Sequence, residues 1–357
     1  MRIAVTYGPM CLLRSAEETW ADPRTGSEIG WRRIVEGLID LSVREKRQWR
    51  VDGLPSDVKF RDDYDVAISI NEPDRLREFP NAKLRICMFW LNGFSFCKEG
   101  YDDHVDQYLS PSEAHRQKAI GDWGAVSPAK WQVNYLGCEP PGAIHGLGEV
   151  TRHAGRAVYC SSPDRGLHRV LEAWPAIKRA VPHATLKVFY RLAPWLRQFD
   201  TTPYYPPIER NRARALYIEE ALARLSGPEW GVEVVDSVSH DEVLREMAQA
   251  EVLLHPCETL SWSEGFSCTV IDACSMGAVP VITDCDALGE VYADLDPVKV
   301  GDWTGWRSRV VDALTDPAEL VHYQEKARAI AERLTWAAHV GRLDALIRER
   351  LGDGKQG

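Results

Sequence analysis

The sequence predicts an α/β protein of two domains, each built on a parallel sheet covered by helices. Three observations predict it. Short strand-like runs alternate with helix-length amphipathic segments along nearly the whole chain. The length, 357 residues, suits two domains of ordinary size. A Pro/Gly-punctuated segment, Cys138 to Gly155, separates the two runs of elements as an interdomain linker would. The expected division is 1–150, 151–335 and a last helical piece at 336–357.

In the first half, Arg2 to Thr6 reads as a strand and Ser27 to Leu41 as a helix. Asp65 to Ile70 and Leu84 to Trp90 read as buried parallel strands, and Val105 to Leu109 as a shorter one. Ser110 to Lys118 opens with a Ser-Pro-Ser cap region and turns helical, and Trp131 to Leu136 is the last strand before Gly137. Ligands of parallel sheets bind outside the strand carboxyl ends. The loop after the first strand contains Thr25-Gly26-Ser27-Glu28, then Gly30, and Ser27 also serves as a plain helix cap. Asn92, Asp103 and His104 follow the strand Leu84 to Trp90; His is the residue type most often used as a general base, although a lone His beside a strand also serves structure alone.

The second half opens on the strand Arg156 to Tyr159 and the segment YCSSPDRGL. Leu167, Val170, Leu171, Trp174, Ile177 and Val181 then recur at helical spacing. Ser161, Ser162 and Asp164 are loop and cap formers, which puts Arg165 in the first helical turn. A cation there opposes the positive helix N-terminus. It becomes favourable when a phosphate lies between the two, since Arg binds phosphate through a bidentate fork. Leu186 to Tyr190, Val232 to Val235 and Ala250 to His255 read as strands, and Ser239 to Ala248 as a helix with a Ser cap and Glu242 at the capping-box position. Arg191 to Arg210, with four prolines, reads as a loop. Pro317 to Leu351 is helical with a break at Leu334-Thr335-Trp336.

The richest stretch is Cys257 to Glu290. It places Glu264 before an apolar helical run and Asp272 eight residues later, about two turns on, followed by Gly277 and the strand-like Val279 to Thr283. The amides at such a helix start favour an anion such as a diphosphate. A second carboxylate further along can accept hydrogen bonds from vicinal sugar hydroxyls. Glu258 competes with Glu264 for the loop position.

The Glu264/Asp272 spacing resembles the E-x7-E signature of the retaining glycosyltransferases of family 4, with Asp as the second acid and so one methylene less reach. The strand, loop and Arg165-Gly166 are similar to that family's strand, loop and basic residue followed by Gly. The resemblance implies a GT-B fold, two Rossmann-like parallel-sheet domains facing across a cleft, with the 336–357 helix packing back on the first domain. It implies transfer of a sugar from a nucleoside diphosphate sugar, UDP or GDP linked, to an acceptor hydroxyl with retention. The nucleotide sugar is a co-substrate, with no cofactor, no metal and no covalent enzyme intermediate. On this chain the diphosphate falls to Arg165 and the loop of Glu264, Gly265, Phe266, Ser267 and Cys268. The sugar falls to Glu264, the ribose to Asp272 and the base to the backbone near Val238 and His240. Ser161 and Ser162 stand where many members have a second basic residue, and Gly26 stands in that family's Gly-rich loop. Other classes compatible with these residues are a nucleotide-sugar epimerase or hydrolase and a non-catalytic nucleotide-sugar-binding protein.

Composition narrows the classes further. The net charge of −10, without a long Lys/Arg run, argues against a general nucleic-acid surface. MRIAVTYGPM reads as a strand rather than a signal peptide, and no window reaches the roughly 18 apolar residues of a membrane span, so a soluble cytoplasmic protein is expected. The nine cysteines contain no C-x2-C pair and the ten histidines no ligand spacing, so reduced thiols and no structural metal are expected. No G-x-G-x-x-G follows the first strand, which argues against a dinucleotide oxidoreductase.

Overall fold

The computed structural model describes residues 1–7, 26–54, 63–91, 103–121, 127–141, 150–201, 208–236, 238–260 and 262–352. The chain divides into two compact units, Met1–Gly137 with Leu334–Gly357, and Cys138–Arg333.

The first unit is built on β1 (Arg2–Tyr7), β2 (Arg50–Leu54), β3 (Val66–Ile70), β4 (Leu84–Met88), β5 (Gln107–Ser110) and β6 (Trp131–Val133). All pair in parallel in the order β2-β1-β3-β4-β5-β6. Successive strand side chains alternate between faces, and the packing follows. Ile3, Val5, Ile68, Ile86 and Met88 pack with Trp31, Ile34 and Leu38 of the helix Gly26–Arg44 and with Leu343 and Ile347 of the helix Trp336–Leu351. Ala4, Ala67 and Cys87, the residues between them, pack on the other face with Phe79, Phe89, Tyr108 and Trp131. Strand β2 is absent from the sequence reading because RVDGL has neither an apolar run nor a clean alternation. It is an edge strand, only half-buried.

The closing helix of this unit is fastened at its start. Thr335 accepts a hydrogen bond from the Ala338 amide at 3.0 Å, His339 Nδ1 lies 2.9 Å from the Tyr135 carbonyl, and Arg342 Nη2 donates to that carbonyl at 2.7 Å. Gly137 passes so close that a Cβ would lie 2.2 Å from the Thr335 carbonyl carbon. The expected break at Leu334-Thr335-Trp336 is therefore a true helix boundary, made by a Thr cap.

The second unit is built on β7 (Arg156–Tyr159), β8 (Thr185–Phe189), β9 (Val232–Val235), β10 (Val252–His255) and β11 (Val279–Ile282), parallel in the order β11-β10-β7-β8-β9. The helix Leu167–Ala180 buries Leu167, Val170, Leu171, Trp174 and Ile177, the face its spacing predicts. The Arg191–Arg210 loop expectation is corrected: Leu192–Thr201 and Ile208–Arg224 are helices. Pro194 falls in the first turn of the former, where a missing N–H leaves no hydrogen bond unmade. The other three prolines, 203, 206 and 207, lie between the two helices outside the described residues.

The strand order reverses between β7 and β10, whose neighbours lie on opposite sides. At such a switch point the loops leaving the two strands part and open a crevice at their carboxyl ends. Among the described residues no helix is long and apolar enough to cross a membrane.

Two glycines test this account. Gly137→Ala forces its Cβ into the Thr335 backbone and is expected to cost about 2–4 kcal/mol, within the range of strained or overpacked sites. Gly341→Ala, in the exposed interior of the helix Trp336–Leu351 with nothing within 4 Å, is expected to stabilise by about 0.5–1 kcal/mol. Urea unfolding of the two variants gives opposite signs if the packing is as described.

Candidate functional site

The chain leaves β7 at Cys160 and forms a 3-10 turn over Pro163–Arg165 before the helix begins at Leu167. Arg165 is thus in a turn ahead of the helix, not in its first turn. Neither Ser162 nor Gly166, the residues at the cap positions of the turn and the helix, makes a side-chain cap bond. Instead Ser162 Oγ donates to the Asp164 carboxylate, and the Tyr159 hydroxyl donates to the Ser162 carbonyl at 2.7 Å. Gly166 has φ +105°, and a Cβ there would lie 2.1 Å from the Pro256 carbonyl oxygen. Only glycine lets the β7 loop close on the β10 loop.

That closure brings Arg165 to Glu264. Arg165 Nη1 lies 3.2 Å from Glu264 Oε1, and Nε lies 3.6 Å from Asp164 Oδ2. The guanidinium side chain is 16% exposed, yet Nε and Nη1 have no hydrogen-bond partner among the described residues. Burial works against its charge, but Glu264 and Asp164 more than offset this and hold Arg165 above its ordinary pKa. Burial pushes the Glu264 carboxyl up, opposed by the Arg165 charge.

Glu258 does not compete for this position. Its carboxylate takes Arg169 Nε at 2.6 Å, His168 Nε2 at 3.3 Å and Arg214 Nη2 at 3.4 Å. Burial raises its pKa, but bonds from His168 and Arg169 and the charges of Arg169 and Arg214 bring it to about 2. With Glu258 committed to that cluster, Glu264 is the acid beside Arg165.

The helix Cys268–Met276 starts from Ser267 in the left-handed region, φ +70°, with no side-chain cap. The Tyr292 hydroxyl donates to the Ser267 carbonyl at 2.8 Å, and Phe266 packs against the Tyr292 ring at 5.9 Å. Thr269 Oγ1 donates to the Cys160 carbonyl at 3.2 Å, tying the first helical turn to the end of β7. The first amides of an α-helix lack intrahelical acceptors and attract anions. Asp272, half-buried in this helix, lies 3.7 Å from His240 Nε2. His240 begins the helix His240–Gln249, which Ser239 caps through the Glu242 amide at 3.2 Å as the sequence predicts. Val238 is exposed just ahead of it. Ser161, Ser162, Arg165, Glu264, Gly265, Phe266, Ser267 and Cys268 thus all belong to the loops and helix start at the β7/β10 switch point, and Asp272 pairs with His240.

In the first unit, Gly26 is exposed at the start of the helix Gly26–Arg44. Asn71 Nδ2, at the carboxyl end of β3, donates to Ser27 Oγ at 3.1 Å, so this helix start lies at the carboxyl edge of the sheet. His104 does not. It lies half-buried ahead of β5, where Asp106 accepts a bond from the Arg85 amide at the beginning of β4 at 2.8 Å. That is the amino edge of the sheet, and the expected catalytic role of His104 is withdrawn. Asn92 lies outside the described residues.

Two residues at the site escaped the sequence reading. Asp286 Oδ2 accepts from the Ser263 amide at 2.8 Å, the Glu264 amide at 3.0 Å and Thr259 Oγ1 at 3.2 Å. His255 is fully buried, with Nε2 3.8 Å from Glu264 Oε1 and neither ring nitrogen hydrogen-bonded among the described residues. Burial, then the Arg165 charge, pushes it down to about 3, so it is neutral at ordinary pH. His255, Cys257 and Glu264 have donor atoms within 4.8 Å of one another, a set that metals can use. Arg165 already places a cation 3.2 Å from the Glu264 carboxylate of that set.

Solved structures share this architecture over nearly the full chain. Sucrose-phosphate synthase from Thermosynechococcus elongatus is 14% identical with a TM-score of 0.67, covering 99% of this chain and 100% of its own. The fold is GT-B. AviGT4, a glycosyltransferase involved in avilamycin A biosynthesis, is 16% identical with a TM-score of 0.65, covering 99% of this chain and 98% of its own. Anabaena HepE, solved with UDP and glucose, is 13% identical with a TM-score of 0.64, covering 98% of this chain and 100% of its own. No protein-family model matches the chain, and the curated proteins contain no significant match to it.

His255 makes the site acid-sensitive. Its folded pKa of about 3 lies below the ordinary 6.5, so between those values only the unfolded chain takes the proton. Stability from this group is complete above 6.5 and is lost as pH falls towards 3, at about 1.4 kcal/mol per pH unit. Between pH 6.5 and 5 wild type is expected to lose about 2 kcal/mol more than His255→Asn in urea unfolding. Equal losses would exclude a buried neutral imidazole.

Proposed function

We propose that this protein is a retaining glycosyltransferase, moving a sugar from a nucleoside diphosphate sugar to an acceptor hydroxyl. The observation that carries the reading is Arg165. Its guanidinium is largely buried at the switch point of a parallel sheet, with Nε and Nη1 lacking hydrogen-bond partners among the described residues. Its loop is tied by Thr269 to the start of the Cys268–Met276 helix. A diphosphate matches both features: it supplies acceptors for the guanidinium fork and negative charge for the helix start.

In this reading Glu264 accepts hydrogen bonds from the sugar hydroxyls, and Asp272, beside His240, accepts those of the ribose. The base rests near Val238 and His240, and Ser161 and Ser162 stand in for a second cation. As the bond from the anomeric carbon to the diphosphate breaks, negative charge grows on the leaving group. Arg165 and the helix dipole are already in place to stabilise it, which is the most effective form of electrostatic catalysis. The acceptor oxygen attacks from the face the diphosphate leaves, and its proton passes to the departing phosphate oxygen. One bond forms and one breaks on the same face, so configuration is retained without a covalent enzyme intermediate. HepE, solved with UDP and glucose, makes UDP the first nucleotide to try.

The test is thermal shift and calorimetry with UDP, GDP, ADP, dTDP and their glucose conjugates. One nucleotide is expected to stabilise the wild type selectively. Arg165→Ala is expected to weaken its binding by about 10–100-fold, the cost of charge-assisted hydrogen bonds. No response to any of them at millimolar concentration would sink the donor-site reading.

A further inference from the structure

Glu264 is held by its backbone from a loop outside the β7/β10 crevice. Asp286, in the loop after β11, directs one carboxylate oxygen at three donors: the Ser263 amide at 2.8 Å, the Glu264 amide at 3.0 Å and Thr259 Oγ1 at 3.2 Å. The next residue completes the grip, because the Ala287 amide donates to the Glu264 carbonyl at 3.0 Å. Both backbone polar groups of Glu264 are therefore fixed by two consecutive residues 22 and 23 positions downstream.

The geometry of Asp286 itself is unusual. Its φ is +52°, in the left-handed region that costs most residues about 1–2 kcal/mol and that Asn and Asp tolerate best. That conformation is retained here together with an acid whose oxygen serves three bonds. The Arg165 backbone has anchors of its own. Arg165 is placed by the β7 loop, through the bond of its own amide to the Ser162 carbonyl at 2.9 Å and the Gly166–Pro256 contact.

We propose that Asp286 is a positioning residue for Glu264, and that through it the β11 loop controls how well the site engages the sugar relative to the nucleotide that carries it. This rests on the donor-site reading above. Removing the Asp286 acceptor leaves the Ser263 and Glu264 amides without their partner. The Glu264 main chain can then turn, and its carboxylate departs from the place where a sugar hydroxyl would meet it. Arg165 keeps its bond to the Ser162 carbonyl, and the helix start keeps its ties through Thr269 and Tyr292, so nucleotide diphosphate affinity survives.

The experiment compares wild type with Asp286→Asn, which keeps an acceptor oxygen and tolerates φ > 0, and Asp286→Gly, which keeps the φ but has no acceptor. Calorimetry with UDP and UDP-glucose, or whichever nucleotide pair the wild type binds, gives the ratio of the two dissociation constants. In Asp286→Gly the ratio of sugar nucleotide to nucleotide is expected to rise about tenfold, the loss of a hydrogen bond to a charged group, with nucleotide affinity within about threefold of wild type. Asp286→Asn is expected to keep the ratio within about threefold. Glu264→Gln is expected to raise the ratio alone, and adding Asp286→Gly to it to change the ratio no further, since one acts through the other. Thr259→Val, a milder change that removes one of the three bonds, is expected to shift the ratio in the same direction should the Gly variant fail to fold.

A merely structural Asp286 predicts a different pattern, in which both affinities fall together with melting temperature and the ratio stays constant. That pattern, or additivity with Glu264→Gln, would overturn the proposal while leaving the donor site intact. A wild type that binds no nucleotide would overturn the donor-site reading itself, and with it the role given to Asp286.

Discussion

The contact on which the site depends is the approach of Gly166 to the Pro256 carbonyl. A side chain at that position would lie 2.1 Å from the oxygen, and the backbone there has φ +105°. Any other residue would push the β7 and β10 loops apart. With them apart, Arg165 and Glu264 would not meet at 3.2 Å, and the crevice of the sheet would lack its charged pair. The parallel sheet places these two loops at its switch point, but a backbone-to-backbone contact decides that they touch.

The electrostatics follow from that closure. Arg165 has one carboxylate in contact, Glu264, and a second, Asp164, at the edge of ion-pair distance. The histidine behind them is neutral because burial and the guanidinium both disfavour its proton. Nearby, Arg169, Arg214 and His168 are drawn to Glu258 rather than to Glu264. The two acids share a loop and resemble each other in sequence, yet one is consumed by a structural cluster and the other is left with a single cation. The fold thus gives two otherwise similar acids different electrostatic surroundings.

Much of this was legible in the chain. Periodicity located most of the strands, and Leu167, Val170, Leu171, Trp174 and Ile177 are buried on one face of Leu167–Ala180 as their spacing predicts. The Ser239 cap and the Thr335 break were written in local chemistry and formed as such. Failures came where position outweighed composition. The prolines of Arg191–Arg210 suggested a loop, although one lies in a first turn that tolerates it. Strand β2 escaped because an edge strand needs little apolar pattern. His104 looked useful by residue type, but it lies just ahead of β5, beside the start of β4 at the amino edge of the sheet.

By itself the sequence determined what local rules can encode: the alternation of strands and helices, the caps, the glycine after Arg165, and the eight-residue spacing that sets Glu264 before a helix and Asp272 within it. Those depend on neighbours a few residues away, so a linear reading reaches them. Which acid meets Arg165, that His255 stands behind them uncharged, and that Asp286 holds Glu264 by its amide were decided only by the tertiary structure. Each of these joins loops from different strands of one sheet. Their distances and burial are set by the strand order, which leaves no periodic trace in the sequence.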